Sequence, residues 1–365
     1  MPASTSLSPP TEGELVSLFC GAGGLDLGFE RANFSVAAAV DLRDFSIRSY
    51  NHNRKSKTGH VGDVTKLDPA KLDELAKRKL APVGLIGGPP CQSFSRAAHS
   101  SDTDHRHELP LDFVRVLKEF NDRSPVGFFV FENVPGLLKD RHQLRFERMK
   151  KGFDHAGFAV HQVLLNASAF GVAQNRPRLI LVGFNKKLYP GLTWQPPAVQ
   201  TASPKPVKDL IKKLPAATYW TRGLDPSLIK PHPNHWCMTP KSKNFTTPGA
   251  LVPGTSRGRS FRTLDWNEPS PTIAYGHREV HVHPDGHRRL SVFEAMLLQG
   301  FPRAYELLGS LSDQITQVSE AVPPPLAHAI AESVKQALLR YEAEAKAAAY
   351  AKRPVRSTSR LAHSS

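Results

Sequence analysis

Short apolar runs alternate with amphipathic stretches over the first half of the chain. The apolar runs predict β-strands at residues 15–19, 34–40, 83–86, 126–131, 158–165 and 179–184. Residues 25–32 and 109–120 place apolar side chains at helical spacing and predict α-helices. Strands that alternate with helices in this way predict an α/β fold with a doubly wound, mostly parallel sheet.

The pattern changes after about residue 185, where prolines become frequent and the periodicity fades. Lysine and arginine side chains recur there among aromatic ones, a mixture that favours a loop-rich lobe contacting nucleic acid. An irregular domain with a solvated basic surface is the alternative. Helical spacing returns at 291–298 and 325–341. The predicted organisation is a disordered N-terminus at 1–13, a main domain at 14–185 and 289–342, a second lobe at 186–288, and a basic flexible tail at 343–365.

The composition indicates which partners, metal sites and cellular compartment to expect. The chain has 365 residues and a net charge of +15, which favours a polyanionic partner such as nucleic acid. Its three cysteines are widely separated and form no CxxC pair, so neither a disulfide framework nor a cysteine-rich zinc site is expected. His232, His235 and Cys237 give only a weak metal signal, and no metal is expected. No segment resembles a signal peptide or a membrane span, so we expect a cytoplasmic, nucleoid-associated protein.

The first predicted strand is followed by a glycine-rich turn that opens a helix. Gly21 and Gly23 would let the backbone approach a ligand closely. A dinucleotide fingerprint would need a glycine where Asp26 stands, and a carboxylate is unfavourable beside a pyrophosphate. The turn therefore favours S-adenosylmethionine over a nicotinamide dinucleotide. Asp41 is placed to accept from a ribose diol and Asp63 from an adenine amino group, with helix capping or turn formation as the alternative for both.

A cysteine follows another of the apolar runs. Cys91 lies on a Gly/Pro-rich turn after residues 83–86, a placement typical of a nucleophile, although burial in the core is the commoner fate of a free cysteine. Glu132 and Asp41 also lie just past predicted strands. Because the carboxyl ends of parallel strands meet at one edge of a sheet, we expect these three side chains to converge.

Several segments, in order, resemble the motifs of the DNA cytosine-C5 methyltransferase family of bacteria and phages. They are Leu18-Phe19-Cys20-Gly21-Ala22-Gly23-Gly24, Gly88-Pro89-Pro90-Cys91-Gln92, Phe131-Glu132-Asn133-Val134, Gln174-Asn175-Arg176-Pro177-Arg178, and two segments within 289–302 and 317–325. The joint order makes the resemblance specific. It implies a Rossmann-like, S-adenosylmethionine-dependent methyltransferase domain with a smaller irregular target-recognition lobe, acting on double-stranded DNA.

The resemblance also implies roles for individual residues. Cys91 would add to C6 of a flipped-out cytosine, and Glu132, with a raised pKa, would hydrogen-bond N3. Arg178 would bind O2, while Arg176 would support Glu132 or the backbone. The cofactor-binding residues would be Phe19, Gly21, Gly23, Leu25, Asp41, Asp63, Pro89, Glu320 and Ala321. The DNA-binding residues would be Gln92, Ser93, Ser95, Arg96 and Gln174.

The last motif departs from the family. Ser319-Glu320-Ala321-Val322 stands where the family has Gly-Asn-Ala-Val or Gly-Asn-Ser-Val. Glu320 cannot donate as an amide does and adds negative charge beside the cofactor, which leaves a catalytically idle DNA-binding protein as one alternative. Methylation of tRNA, as in one branch of the family, is another, although the basic second lobe favours DNA. The enzyme is expected to be a monomer, either solitary or partnered by a restriction endonuclease that acts on the same site.

Overall fold

A computed structural model describes residues 13–90, 108–200, 203–258, 261–272 and 281–351 of the chain. Five residues that the sequence assigns to the site lie outside these ranges, namely Cys91, Gln92, Ser93, Ser95 and Arg96. The expected disordered N-terminus, apart from Gly13, also lies outside them, as does the basic tail beyond Ala351.

The described residues form thirteen β-strands and nine α-helices. The strands are β1 (Glu14–Leu18), β2 (Ser35–Asp41), β3 (Gly59–Val61), β4 (Gly84–Gly87), β5 (Phe128–Asn133), β6 (Phe158–Asn166), β7 (Gln174–Asn175), β8 (Pro177–Asn185), β9 (Thr218–Tyr219), β10 (Trp236–Cys237), β11 (Ser256–Arg257), β12 (Phe261–Arg262) and β13 (Ser270–Pro271). The helices are α1 (Gly24–Arg31), α2 (Asp44–His52), α3 (Pro69–Ala76), α4 (Leu109–Arg123), α5 (Gln143–His155), α6 (Lys208–Ile211), α7 (Val292–Leu298), α8 (Leu311–Glu320) and α9 (Pro324–Ala351).

Seven strands form one sheet in the order β3-β2-β1-β4-β5-β8-β6. The first five of these pair in parallel, whereas β8 runs antiparallel to both of its neighbours, β5 and β6. The strand order reverses at β1, which lies between β2 and β4. The loops that follow β1 and β4 therefore open a crevice at the carboxyl edge of the sheet, where open α/β sheets bind their ligands.

Both faces of the sheet are covered by helices, which explains why its central strands are almost continuously apolar. Phe128 and Val130 of β5 pack toward the layer that contains α1 and α9. Phe129 and Phe131 of the same strand pack on the other face against α4 and α5, and Phe129 stacks on Phe153 with ring centroids 4.1 Å apart. The predicted doubly wound α/β sheet is confirmed.

The strands and helices predicted from the apolar pattern are all present, with boundaries shifted by a few residues. Helices α2, α3, α5, α6 and α8 were not predicted. Helix α5 illustrates the reason, because its charged sequence buries only three side chains, Phe146, Met149 and Phe153. The predicted flexible tail is wrong over residues 343–351, where α9 continues. This stretch is rich in alanine, the strongest helix former, so the helix extends past its buried part.

Residues 186–288 contain only short elements in their described part, as expected for an irregular lobe. Apolar side chains of this lobe and of the main domain pack together in one hydrophobic core. Trp236 Nε1 donates to Gln314 Oε1 at 2.9 Å, and Asn234 Nδ2 donates to the Leu307 carbonyl at 2.7 Å. Among the described residues, no helix combines the length and apolarity needed to cross a lipid bilayer.

Candidate active site

The glycine-rich turn after β1 has an unusual backbone. Phe19, Gly21 and Gly23 have φ angles of 57°, 54° and 81°, in the left-handed region that glycine tolerates and phenylalanine rarely adopts. A Cβ added at Gly21 would meet no atom within 4 Å, so this part of the turn faces open space. A strained turn with an exposed backbone is typical of a ligand-binding site.

Asp41, at the end of β2, is bound to this turn. Its Oδ2 accepts from the Gly21 amide at 3.0 Å and its Oδ1 accepts from the Arg43 amide at 2.9 Å. Burial raises the pKa of Asp41, and the two amide hydrogen bonds oppose that rise. Each carboxylate oxygen has a second lone pair, so the carboxylate can still accept from a diol.

The other expected cofactor residues have different surroundings. Asp63 stabilises a local turn, which was the alternative to cofactor binding. Its Oδ1 accepts from both the amide and the hydroxyl of Thr65, at 3.1 and 2.8 Å. Leu25 is buried in the core beneath the turn, and the Pro89 carbonyl accepts from Asn133 Nδ2 at 3.2 Å. A direct cofactor contact by any of these side chains stays a prediction.

A buried polar network supports the turn from behind. Arg54 lies over the Tyr50 ring, 3.7 Å from its centroid, and donates to the Gly23 carbonyl at 3.3 Å and to Tyr305 Oη at 3.1 Å. Tyr305 in turn donates to the Ala22 carbonyl. Asp26 is fully buried and accepts from Tyr50 Oη at 3.1 Å. Sequence reasoning missed this network because its members come from three distant segments.

The other half of the crevice contains a buried ion pair. Glu132, on β5, lies with its Oε1 2.6 Å from Arg178 Nε on β8, and both side chains are at most 10% exposed. A Cβ at Gly88 would lie 2.8 Å from Glu132 Oε2, so the chain that leads to Cys91 passes directly over this carboxylate. A side chain at position 88 would displace the Glu132 carboxylate.

The pKa of Glu132 is raised by burial, and the charges of Arg178 and Arg176 act in the opposite direction. The direction of this shift is the one predicted from the sequence. A carboxyl whose pKa is raised by burial shares a proton with a bound base more readily than an exposed carboxylate does.

Arg176 binds the backbone, which is one of the two roles expected for it. Its fully buried guanidinium donates to the backbone carbonyls of Ser319 and Ala321, at 2.6 and 2.9 Å. Gln174 is also fully buried, and its Oε1 accepts from Arg176 Nη1 at 3.4 Å. Its side chain does not reach the surface, and the expected DNA contact of Gln174 stays a prediction.

Glu320 lies at the rim of the crevice, at the end of α8. Its carboxylate forms a two-pronged ion pair with Arg43, one oxygen accepting from Nη1 and the other from Nη2 at 2.8 Å. The sequence predicted an added negative charge beside the cofactor but did not identify this partner. Ala321 packs against Gly24 at the start of α1, which brings the last motif onto the glycine-rich turn.

The histidines of the second lobe serve its packing. His235 Nε2 lies 2.9 Å from the Pro215 carbonyl and its Nδ1 2.9 Å from Ser291 Oγ, while His232 stacks on Phe293 with centroids 4.2 Å apart. Within the described ranges, no three His, Cys, Asp or Glu side chains are grouped so that they could share a metal ion.

The glycine-rich turn and the buried Glu132–Arg178 pair thus both lie at the carboxyl edge of the sheet. The sequence profile of C-5 cytosine-specific DNA methylases matches residues 13–336. The chain belongs to this family. It is accordingly a DNA cytosine-5-methyltransferase, which confirms the family and the activity expected from the motifs.

Individual relatives cover nearly the whole chain. The type II methyltransferase M.FnuDI of Fusobacterium nucleatum is 32% identical over 354 residues, 89% of this chain and 95% of the relative. M.NgoPII of Neisseria gonorrhoeae is 30% identical over 359 residues, 90% of this chain and 96% of the relative. A putative DNA modification methyltransferase of an E. coli prophage has a similar crystal structure, with a TM-score of 0.73 at 23% identity over 89% of this chain and 99% of that one. At that identity the structural likeness shows the fold, which agrees with the predicted Rossmann-like class.

Proposed function

We propose that this enzyme transfers a methyl group from S-adenosylmethionine to C5 of a cytosine in a specific sequence of double-stranded DNA, with Cys91 as its covalent nucleophile. The observation that carries this proposal is the buried Glu132–Arg178 pair, which lies under the strand end leading to Cys91. Family membership supports cytosine as the target base and C5 as the ring position that is methylated.

The residues around the first turn fit the proposed methyl donor. The open backbone at Gly21 would accept the methionine portion, and the Asp41 carboxylate would accept from the ribose hydroxyls. Leu42, whose side chain is 68% exposed beside Asp41, offers an apolar contact for the adenine base of the methyl donor. S-adenosylmethionine supplies an electrophilic methyl group on a sulfonium.

The chain's own residues would activate the cytosine. The Cys91 thiolate adds to C6, which makes C5 nucleophilic. Glu132 shares a proton with N3, and this is favourable because burial raises the pKa of its carboxyl. Arg178 stabilises the negative charge that develops on O2. After methylation C5 loses its proton to a base, and elimination breaks the sulfur–C6 bond to free Cys91.

The target base must leave the helix for this chemistry, since its ring is inaccessible within a base stack. The lobe at 186–288 would read the recognition sequence in the major groove, and its exposed lysines and arginines would bind phosphates. Gln92, Ser93, Ser95 and Arg96, next to Cys91, would contact the DNA around the flipped nucleotide. The domain boundaries at 185 and 289 are part of this proposal.

The relatives named type II methyltransferases support a role in restriction–modification. In that role the enzyme would act as a monomer, in the bacterial cytoplasm at the nucleoid, and would protect sites that a cognate endonuclease cleaves. A solitary methyltransferase would carry out the same chemistry without the endonuclease.

The first experiment is methylation of plasmid DNA by the purified protein with S-adenosylmethionine, with bisulfite sequencing as the measurement. 5-Methylcytosine at one recurring sequence is the expected result. A parallel reaction on tRNA tests the alternative substrate, and methylation of tRNA alone would refute the DNA proposal. No methylation of either nucleic acid, together with a failure to bind S-adenosylmethionine in calorimetry, would favour the idle DNA-binding alternative.

A further inference from the structure

The ion pair between Arg43 and Glu320 joins two segments on opposite sides of the crevice. Arg43 follows the turn that carries Asp41, and Glu320 ends α8 where the family has an uncharged asparagine. The two side chains are 29% and 31% exposed, so the pair lies at the mouth of the crevice rather than in its core.

Each charge is unfavourable for its own helix. Arg43 is the residue that caps the N-terminus of α2, where the helix dipole disfavours a cation. Glu320 is the last residue of α8, where the dipole disfavours an anion. The two-pronged contact between them offsets both charges, which indicates that they act together.

The fold does not depend on this pair for its local packing. Arg176 and Gln299 already hold the end of α8, since both donate to the Ala321 carbonyl. The segment before α8 is tied to α2 because the Leu308 amide donates to Ser49 Oγ at 2.8 Å. A partly exposed ion pair adds little stability to such an arrangement.

The pair acts on Asp41 instead. The Arg43 amide donates to Asp41 Oδ1 at 2.9 Å, so the residue that binds Glu320 also holds the Asp41 carboxylate. In agreement with this contact, the Arg43 charge lowers the pKa of Asp41 and the Glu320 charge raises it. Without Arg43, Asp41 would face an uncompensated carboxylate. Without the Glu320 charge, the Arg43 cation would be drawn toward Asp41 and would compete for the oxygens that a ribose diol needs.

We propose that Arg43 and Glu320 are coupled positioning residues of the methyl-donor site, and that Arg43 offsets the exchange of the family's asparagine for Glu320. The inference rests on the proposed use of S-adenosylmethionine. It predicts that the two residues matter as a pair, and that removing both charges costs less cofactor affinity than removing either one.

The test measures the Kd of S-adenosylhomocysteine by calorimetry, without DNA, for the wild type, Arg43→Ala, Glu320→Asn and the double variant. Each single change should weaken binding about fivefold or more, and the double variant should bind within about twofold of the wild type. The single variants should also show a higher KM for S-adenosylmethionine with kcat unchanged at saturation. Thermal unfolding checks that every variant is folded.

Arg78→Ala is the matched control, because Arg78 pairs with Glu14 at the opposite, amino-terminal end of β1. It should leave the Kd unchanged. Single variants that bind like the wild type, or losses that multiply in the double variant, would overturn the coupling while leaving the proposed function intact. A wild type that fails to bind S-adenosylhomocysteine would refute the proposed methyl donor and this inference with it.

Discussion

Replacing Gly88 with alanine should disable the enzyme without unfolding it. The added Cβ would lie 2.8 Å from Glu132 Oε2, whereas ordinary contact begins near 3.4 Å, so the carboxylate would have to move by about 0.6 Å. The φ angle of Gly88 is not in the left-handed region, so alanine causes no backbone strain there.

The Glu132 carboxylate has little freedom to absorb this shift, because it is held 2.6 Å from Arg178 and is 10% exposed. Catalytic groups tolerate displacements of about 0.5 Å, and a displacement of about 1 Å can lower the rate about 100-fold. We therefore expect kcat for methylation to fall between about tenfold and 100-fold, with cofactor affinity close to that of the wild type.

The assay is transfer of a labelled methyl group to plasmid DNA at saturating cofactor and DNA, alongside thermal unfolding. Gly152→Ala is the matched control, because its Cβ would lie 2.9 Å from Val114 Cγ1, on a helix remote from the crevice. A Gly88→Ala enzyme with kcat within twofold of the wild type and an unchanged melting temperature would refute the placement of Glu132 in the reaction.

Three further predictions follow from the site and the second lobe. Cys91→Ser should abolish methylation while DNA binding, measured by fluorescence anisotropy, is largely retained; near-normal turnover would contradict the covalent mechanism. Burial raises the pKa of Asp26 to about 6. The protonated Asp26 carboxyl therefore stabilises the folded state in full below about pH 4, and this stabilisation is lost as the pH rises through 6. Asp26→Asn should therefore be more stable than the wild type at pH 7, by about 3 kcal/mol at most, in urea unfolding, and the difference should vanish at pH 4. Exposed Lys241 and Lys243 should each contribute about one unit to the slope of the logarithm of the DNA-binding constant against the logarithm of the salt concentration. Alanine variants with an unchanged slope would show that other residues bind the phosphates.

The sequence by itself determined the sheet and the location of the chemistry. The apolar runs identified the strands because buried strands and exposed loops differ in composition at short range. The rule that ligands bind at the carboxyl ends of parallel strands then placed Asp41 and Glu132 at one edge, where the structure has them. The charge of the chain pointed to nucleic acid, and the order of the motifs to the family.

The tertiary structure decided how the charged side chains are paired. Arg43 and Glu320 are 277 positions apart, and Arg176 is 143 positions from the carbonyl of Ser319 that it binds, so no local pattern could connect them. The same is true of the burial of Gln174 and of Arg54 behind the glycine-rich turn. A charge or an amide has the same sequence signature on a surface and in a crevice, and its role depends on which partners the packing of distant segments brings within hydrogen-bond distance.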